Sequence, residues 1–414
     1  MAKQVREDEY TGIEAQRDPE FAAESQVQSD LDEFDALEKE LESIESFDAN
    51  QFTKGFEQYE KFVVLPKREL LQFLRAVEPL TKVTTDAYGK SVQIASVDKD
   101  SVVLNYNNSP FRVSMRITNK SQKLIDSFCV QISLLKKLVT EAFAAVVLVQ
   151  EGEEYSVAIC DSLMFLETVP LSPDQFKMER KKLELALDKE LSMYTFKKLG
   201  SVLSTSDRSS EKIIIVKSGL CFFNTGVFSA KVNSPFQDKE AKFLLFKSAV
   251  DLIGVLSEIA KLDIKYLIED DILHLEADGL IYCQVPITTK IEDHYSPSIS
   301  KALDFEANIS IVNDSIGRLV NLIKSLDYLS NIVTISFTKE EMILEFTNQN
   351  NTKKSAYKFQ ILEGNEDSIG SMRVSADVLK PYLDATGTDV RYAFNEMGLC
   401  MENERGRFLV RKTS

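Results

Sequence analysis

Two segments of this chain, 126 residues apart, carry the same succession of acidic, apolar, basic and aromatic residues. Residues 263–268 read DIKYLI and residues 389–394 read DVRYAF, and the match continues without a gap to Glu276 and Glu402. A weaker copy spans residues 146–167. Each copy follows an apolar stretch with helical period and ends in short alternating strands. The chain is therefore predicted to use one supersecondary unit several times.

The length of the repeated part limits the number of domains. Roughly 350 residues follow the first 60, which is enough for roughly two to four domains with cores of their own. No apolar run reaches the roughly 18 residues of a membrane span, and the N-terminus lacks the apolar core of a signal peptide. The sequence predicts no membrane segment.

The cysteines are scattered, lie mostly in apolar strands and show no CxxC spacing. This pattern favours reduced, buried thiols in a cytoplasmic protein over a disulfide framework or a zinc site. The five residues are Cys129, Cys160, Cys221, Cys283 and Cys400.

The net charge of −16 is concentrated at the N-terminus. Residues 1–60 contain 18 acidic and 5 basic residues, which leaves 47 acidic and 44 basic residues in the body, residues 61–414. The acidity belongs to a leader of 60 residues, and the body is close to neutral. A near-neutral body can carry a basic surface on one side and an acidic surface on the other.

The leader divides into two parts. Residues 1–28 are polar and are expected to be disordered. Residues 29–47 predict an acidic amphipathic helix, and Ser29 with Asp32 resembles a capping box. This helix either packs on the body or serves as a partner-docking or nucleic-acid-competing segment. Its apolar residues, at three- and four-residue steps, are Leu31, Phe34, Leu37, Leu41, Ile44 and Phe47.

The body alternates helix-period stretches with sets of short strands. The stretches begin near residues 66, 133, 191, 247, 314 and 375, and Pro66 suits a first helical position because it lacks an N–H. The even spacing of the starts near 66, 191 and 314 predicts an α+β fold of three domains, each made of two β-α-β-β-β units. The strands predicted after the first, third and fifth stretches are 92–97, 102–106, 111–117, 212–216, 221–223, 228–232, 332–337, 342–346 and 356–361.

This arrangement resembles the bacterial DNA polymerase sliding clamp, also called the beta clamp or processivity factor. Besides the doubled unit, the ending at residues 375–411 and the hairpin at residues 92–104 carry the resemblance. The leader has no counterpart in the usual clamp, which favours a divergent, phage-encoded version of the family. The resemblance covers the body and implies clamp domains at residues 61–180, 181–303 and 304–414, with helices lining a ring and antiparallel sheets outside.

The resemblance implies a protein that is not an enzyme and needs no cofactor. Two copies would close head to tail, through edge strands of their first and third domains, into a ring around duplex DNA. The ring would tether the replicative polymerase and so raise its effective concentration along the duplex. The implied partners are DNA of any sequence, a DNA polymerase and a clamp loader, in bacterial or infected-host cytoplasm. A platform for transcription or repair machinery and a non-encircling interaction protein remain open alternatives.

A sliding ring needs weak, sequence-blind phosphate contacts from basic residues on its inner helices. Helical-wheel positions put basic residues opposite the apolar stripes, although any solvated helix face has the same pattern. Acidic residues on the last three helices offset part of the charge. The candidate DNA-binding residues are Arg68, Arg75, Lys136, Lys137, Lys197, Lys198, Lys247, Arg318, Lys324 and Lys380.

The resemblance also implies a hydrophobic cleft between the second and third domains, where partners insert a short peptide. The turn after the third helix departs from the family pattern by placing Val227 and Phe228 after its glycine, and residues 412–414 run past the usual end. A plain strand-end turn is the alternative for Thr225 and Gly226. The candidate cleft residues are Thr225, Gly226, Phe228, Tyr295, Pro297, Leu409, Val410 and Arg411.

Residues typical of catalysis are sparse in this sequence. His274 alternates with leucines in a strand and is expected at a surface position, and His294 lies beside an aspartate in a linker. Phosphate-binding glycine loops, HExxH, GxSxG and metal-ligand spacings do not occur. The acidic run at residues 269–271 is predicted to be a solvated hairpin turn. The sequence therefore disfavours an enzyme and predicts no metal site.

Overall fold

The computed structural model describes residues 55–411 with several gaps. The predicted leader helix, the fifth predicted helix, most of the sixth and Cys160 lie outside the described part. The residues outside it are 1–54, 82–83, 143, 160–161, 201–212, 225–227, 291–300, 302, 306, 308, 312–328, 351–352, 364–369, 377–378, 380–382, 384–385, 387–389, 395 and 412–414.

The first two units repeat the order strand, helix, three strands. We call them the first pair of units. The first unit is β1 (Lys61–Pro66), α1 (Lys67–Thr81), β2 (Ser91–Asp98), β3 (Ser101–Asn108) and β4 (Phe111–Thr118). The second unit is β5 (Phe128–Gln131), α2 (Ile132–Glu141), β6 (Ala145–Glu151), β7 (Glu154–Ile159) and β8 (Ser162–Phe165).

The second pair of units has the same order, and its first helix changes geometry part-way. The third unit is β9 (Leu185–Ala186), α3 (Lys189–Ser192, continued as a π-helical turn over Met193–Lys198), β10 (Ile213–Lys217), β11 (Leu220–Asn224) and β12 (Phe228–Asn233). The fourth unit is β13 (Lys242–Phe246), α4 (Lys247–Ile259), β14 (Ile264–Glu269), β15 (Ile272–Ala277) and β16 (Ile281–Pro286).

The strands of the third pair follow the same plan. The fifth unit contains β17 (Ile309–Ile311), β18 (Leu329–Phe337), β19 (Glu341–Asn348) and β20 (Lys354–Glu363). The sixth unit contains β21 (Gly370–Ser375), β22 (Arg391–Phe394), β23 (Gly398–Asn403) and β24 (Gly406–Arg411). The two matching sequence segments are β14 and β22 with their neighbours, which occupy the same place in the fourth and sixth units. The predicted α+β architecture of doubled units is confirmed.

Tight turns connect the strands of several hairpins. Ser218 and Gly219 join β10 to β11 with φ values of 54° and 74°, which is the type I′ geometry that suits the twist of paired strands. Asp270 and Asp271 join β14 to β15 with φ values of 50° and 59° and are exposed, so the acidic run is a solvated hairpin turn as predicted.

Three antiparallel sheets hold the described units together, and two of them cross between pairs. The four-stranded sheet, β1-β6-β7-β8, stays within the first pair. The eight-stranded sheet, β5-β2-β3-β4-β16-β15-β14-β9, joins the first pair to the second through β4 and β16. The twelve-stranded sheet, β13-β10-β11-β12-β24-β23-β22-β17-β20-β19-β18-β21, joins the second pair to the third through β12 and β24. Backbone hydrogen bonds therefore connect neighbouring pairs directly.

The helices pack on one face of the sheets, and their apolar stripes enter a main core that extends through all three pairs. On α1 the predicted stripe of Leu70, Phe73, Leu74 and Val77 is buried. Two smaller apolar clusters lie on the opposite, outer face of the sheets. Every helix in the described part of the chain is too short or too polar to span a lipid bilayer.

Two sequence-based expectations are wrong in detail. Pro66 is the last residue of β1, and α1 begins at Lys67. His274 points away from the neighbouring leucines as expected, but it is only 3% exposed because residues 177–181 cross over that face. The Lys181 amide in this crossing segment donates to the Tyr282 hydroxyl, which lies 2.9 Å from His274 Nδ1.

Candidate functional site

The described helices form a row in which α2 contacts α1, α1 contacts α4 and α4 contacts α3. Because their apolar stripes face the sheets, the polar sides of these four helices form one continuous surface. Five exposed side chains on these helices are Lys or Arg, and two, Glu141 and Glu190, are acidic. This surface can attract a polyanion without reading its sequence.

Most of the predicted basic residues that the structure describes reach solvent on this surface. Arg68 on α1, Lys137 on α2, Lys198 at the end of the π-helical turn and Lys247 at the start of α4 are exposed. Lys136 is half-buried. Lys247 stands at a helix N-terminus, where the macrodipole disfavours a cation, so its charge does not serve helix stability.

Lys67, one residue before Arg68, has a structural task instead. Its side chain is buried, and Nζ donates to the carbonyl oxygen of Ala142 at 2.9 Å. A second, longer contact of 3.4 Å reaches the Thr140 carbonyl. These acceptors lie at the C-terminal end of α2, where free carbonyls and the helix dipole favour a cation. Lys67 thus fixes α1 against α2.

The predicted solvent-facing position of Arg75 is wrong. Arg75 is 7% exposed because α4 of the second pair packs along that side of α1. Its Nη2 lies 3.3 Å from Glu258 Oε1, and Lys197 Nζ lies 2.5 Å from Glu258 Oε2. Glu258 thus neutralises one cation from the first pair and one from the second. Arg75 joins helices and cannot contact a phosphate, and Lys197 is half-buried and already paired.

The outer face of the twelve-stranded sheet carries an apolar cluster at the junction of β12 and β24. Residues around the connection between the second and third pairs cover this face, which makes it a cleft candidate. Leu220, Leu244 and Phe305 are only partly buried at its margin. We call this group the outer cluster; its buried members are Ile215, Phe222, Leu303, Ala307, Ala393, Cys400 and Leu409.

Two predicted cleft residues point the wrong way. Phe228 and Val410 are directly paired across the β12–β24 junction and are fully buried in the main core, with Phe228 stacked 6.4 Å from Phe408. Neither side chain can contact a peptide on the outer face. Leu409, between Phe408 and Val410, belongs to the outer cluster.

Two arginines of β24 lie at the margin of the outer cluster. Arg411 Nη2 donates to Asn224 Oδ1 and Ser229 Oγ, both at 3.2 Å, and so ties the end of β24 to β11 and β12. Arg407 Nε donates to Glu402 at 2.9 Å, and its guanidinium lies 5.7 Å from the centre of the Phe305 ring. The cluster is therefore an apolar surface with a basic margin.

The cysteines in the described part of the chain offer no nucleophile at these surfaces. The four described cysteines are free and buried, as the sequence predicts. Burial raises the pKa of Cys400 in the outer cluster to about 12 and that of Cys129 to about 11, so both stay protonated thiols near neutral pH. Within the described ranges, no three His, Cys, Asp or Glu side chains come together as metal ligands.

Solved bacterial sliding clamps share this arrangement over 85% of the chain. The DNA polymerase III beta subunit of Thermotoga maritima matches with a TM-score of 0.67 and 12% identity, over 99% of its own chain. The Helicobacter pylori beta clamp bound to a DNA ligase peptide matches with a TM-score of 0.67 and 12% identity, over 100% of its chain. The beta subunit of Pseudomonas aeruginosa matches with a TM-score of 0.64 and 11% identity, over 99% of its chain. This chain has the sliding-clamp fold. No protein-family model and no curated protein matches its sequence.

Several predicted site residues of this clamp fold lie outside the described part of the chain. Arg318, Lys324 and Lys380 belong to the fifth and sixth predicted helices. Four predicted cleft residues also lie outside the described part. They are Thr225 and Gly226, which precede β12, and Tyr295 and Pro297, between the second and third pairs. Their roles stay predictions.

Leu409 is the one buried member of the outer cluster among the cleft residues predicted from the sequence. Ile215 and Phe222 form a directly paired position on β10 and β11, with Leu244 on the other side of Ile215. The signal was present, because residues 213–216 and 220–223 are apolar without interruption. A run of this kind indicates a strand that is covered on both faces.

Proposed function

We propose that this protein is a DNA sliding clamp, a ring of two copies that encircles duplex DNA and tethers a polymerase. The observation that carries the proposal is the pattern of strand pairing between units. Twice along the chain, the last strand of one unit pairs with the last strand of the unit three further on. Within the part of the chain that the structure describes, the third pairing of this kind is not made, so it calls for a second copy.

The two internal junctions define the rule. The last strand of the first unit, β4, pairs antiparallel with the last strand of the fourth unit, β16. The last strand of the third unit, β12, pairs antiparallel with the last strand of the sixth unit, β24. The same rule would join β20, which ends the fifth unit, to β8, which ends the second.

Among the described residues, both of these strands have an open edge. β8 pairs with β7 alone, and β20 pairs with β19 along most of its length and with β17 only at its end. Open edges of this kind readily accept a strand from another chain. Because β8 belongs to the first pair and β20 to the third, head-to-tail pairing of two copies would use both strands of each copy.

Exposed apolar side chains support this junction. The third residue of β16, Cys283, and the third residue of β24, Phe408, are fully buried against the partner strand. The third residue of β8 is Met164, which is 52% exposed. On β20, Tyr357 is 49% exposed. Pairing β8 with β20 would cover both side chains and remove apolar surface from water.

Light scattering of the full chain tests the ring. We expect a particle of twice the 46.8 kDa chain mass across a wide concentration range. A Met164→Glu variant places a charge in the junction and should shift the mass toward that of one chain. The matched control is Val97→Glu, which alters a 57% exposed valine on a different sheet and should leave the mass unchanged. A single-chain mass for the unaltered protein at every concentration would contradict the two-copy ring.

The exposed basic residues of the helix row are the proposed DNA contacts. Arg68, Lys137, Lys198 and Lys247 would face the duplex, with Arg318, Lys324 and Lys380 proposed for the helices outside the described part. Lysine and arginine contacts to phosphates have no sequence preference and permit sliding. Lys136 and Lys197 are half-buried, so they would raise the positive electrostatic potential of the surface but contact phosphates less readily.

Retention on nicked circular DNA tests these contacts after loading by a clamp loader. Changing Arg68, Lys137, Lys198 and Lys247 to Glu should shorten retention and weaken its dependence on salt. The charge-matched control changes four exposed lysines off the helix row to Glu, namely Lys99, Lys123, Lys239 and Lys265. Equal retention by both variants would exclude the helix row as the DNA-facing surface.

The outer cluster is the proposed site for a partner peptide, such as a segment of a DNA polymerase. The known binding of a DNA ligase peptide by the H. pylori clamp supports a peptide site on this fold. We further propose domain boundaries at residues 61–180, 181–303 and 304–414, which fall between the pairs of units, and action in the cytoplasm where bacterial or phage DNA is replicated.

A further inference from the structure

The outer face of the four-stranded sheet is largely apolar from one edge to the other. Directly paired residues on neighbouring strands place their side chains on the same face. Two rows of side chains therefore run across the outer face: Phe62, Val149, Ser156 and Phe165 in one, and Val64, Val147, Ala158 and Leu163 in the next.

The side chains of these rows are buried on β1 and β6 and exposed to solvent on β8. Val64 is fully buried and Val147 is 3% exposed, whereas Leu163 is 36% and Phe165 is 69% exposed. The aromatic side chains of residues 56 and 59 pack on the buried side, with the Phe56 ring 6.4 Å from that of Phe62. A covering layer thus begins over β1 and β6, and the chain that enters β1 supplies its first part.

The internal repeat shows that this cover is specific to the first pair. The core residues Val146 and Leu148 of β6 correspond to Ile264 and Tyr266 of β14, so Val147 corresponds to Lys265. Lys265 is exposed, and so is Arg391 at the same position of β22. A buried valine stands where the other two pairs have a solvated cation. At this position the outer face of the first pair is therefore covered, whereas the second and third pairs are solvated there.

We infer that the predicted amphipathic helix at residues 29–47 packs on this outer face, over β7 and β8. The chain reaches the face at Phe56, and the eight residues between Phe47 and Phe56 can extend about 27 Å. The four strands span only about 14 Å. A helix about 10 Å wide covers two strands, while the segment at residues 55–60 stands over the other two.

The composition of the leader helix suits this position. Its apolar stripe would meet Ala158, Leu163 and Phe165, and its polar side would face solvent. Residues 29–47 contain eight acidic residues and one basic residue, so their negative charge would stay on the outside of the sheet. This places the leader on the side opposite the helix row, where it does not compete for the basic surface.

Hydrogen–deuterium exchange of the full chain, read by mass spectrometry, tests this packing. Amides of residues 29–47 should exchange at least about tenfold more slowly than in a variant with Leu37→Glu and Leu41→Glu. Val147→Lys, which introduces the residue type of the second pair beneath Phe56 and Tyr59, should displace the chain that leads from the helix to β1 and so raise the exchange of residues 29–47 as well. Since a buried lysine can also unfold the first pair, Phe165→Ser provides a second variant at an exposed position, with an expected acceleration of at least about threefold.

Two controls separate the leader from other occupants. Val97→Ser alters an exposed apolar residue on another sheet and should leave the exchange of residues 29–47 unchanged. Glu42→Lys, on the polar side of the predicted helix, should preserve the protection. Rapid exchange of residues 29–47 in the unaltered chain, or protection that survives both Val147→Lys and Phe165→Ser, would overturn the inference. Protection of residues 29–47 that is lost on dilution would show that this segment packs on a second copy, and would overturn packing on its own chain.

Discussion

The Arg75 guanidinium lies 3.3 Å from the Glu258 carboxylate, and the two residues belong to different pairs of units. Arg75 is 7% exposed, so its charge is held between α1 and α4, away from water. A buried cation needs such a partner because its hydration has been lost. This contact links α1 of the first pair to α4 of the second, the helices that carry the exposed Arg68 and Lys247.

Replacing Glu258 should therefore weaken the junction between the first and second pairs. We expect Glu258→Gln to lower the free energy of unfolding by about 1–3 kcal/mol, because Arg75 would keep its charge and lose this carboxylate. Urea denaturation measures the change. Glu341→Gln removes a solvent-exposed ion pair with Lys358 and should cost less than about 1 kcal/mol. Equal losses in the two variants would count against a structural role for the Arg75 contact.

His274 should make stability depend on pH. Burial is the main cause that lowers the His274 pKa below its ordinary 6.5; nearby Lys181 lowers it further, and Glu269 opposes the shift. The unfolded chain then binds a proton more readily than the folded chain does. Stability from this residue is fully present above about pH 6.5 and is lost as pH falls through the lower folded pKa.

Urea midpoints at about pH 7.5 and about pH 5 measure this dependence. His274→Gln keeps a polar group near the Tyr282 hydroxyl and cannot be protonated, so the loss of stability between the two pH values should shrink. The other histidine of the chain provides the control, and His294→Gln should leave the loss as it is. An unchanged loss in His274→Gln would assign the acid sensitivity to other groups.

Gly406 should be required at the junction between the second and third pairs. A Cβ atom at this position would lie 2.3 Å from the Lys231 carbonyl oxygen and 2.8 Å from Val232 Cα. These are backbone atoms of the facing strand, so Gly406→Ala must displace β24 from β12. We expect a loss of at least about 2 kcal/mol in the free energy of unfolding, measured by denaturation. Gly55→Ala, where a Cβ atom meets nothing within 4 Å, is the control and should be nearly neutral.

The outer cluster should bind apolar peptides through its partly buried members. Peptides selected from a display library on the full chain should lose at least about tenfold in affinity when Phe305 is changed to Asp, because anchors in such sites dominate binding. Fluorescence anisotropy measures the affinities. Leu262→Asp, at a 72% exposed leucine outside the cluster, should leave them unchanged. Selected peptides that bind both variants equally would locate the peptide site elsewhere.

Repetition and periodicity were sufficient to predict most of the fold. The predicted strand at residues 92–97 is β2, Ser91–Asp98, and the fourth helix begins at Lys247 as predicted. These elements are encoded locally, because each alternation or helical stripe lies within a short stretch of chain. The first helix start differed by one residue, since Pro66 suits the end of a strand as well as the start of a helix.

The errors at the candidate site arose where two elements meet. A helical wheel shows which side of α1 is polar, but it cannot show that α4 covers Arg75 on that side. The cleft prediction included residues of β12 and β24, but Phe228 and Val410 on these strands face the main core and not the outer cluster. Both faces of neighbouring strands are apolar there, so alternation alone does not distinguish the main core from the outer cluster.

The junction between β12 and β24 also determines when the chain can finish folding. Phe228 pairs with Val410, which is 182 residues later. At the usual pace of about 5–20 residues per second, a ribosome would need roughly 10–35 s to synthesise the intervening residues. During that interval, the nascent chain carries an unpaired apolar strand edge, which is a template for wrong pairing. The second pair of units can therefore be protected from aggregation only after the ribosome has synthesised β24, however quickly its own strands form.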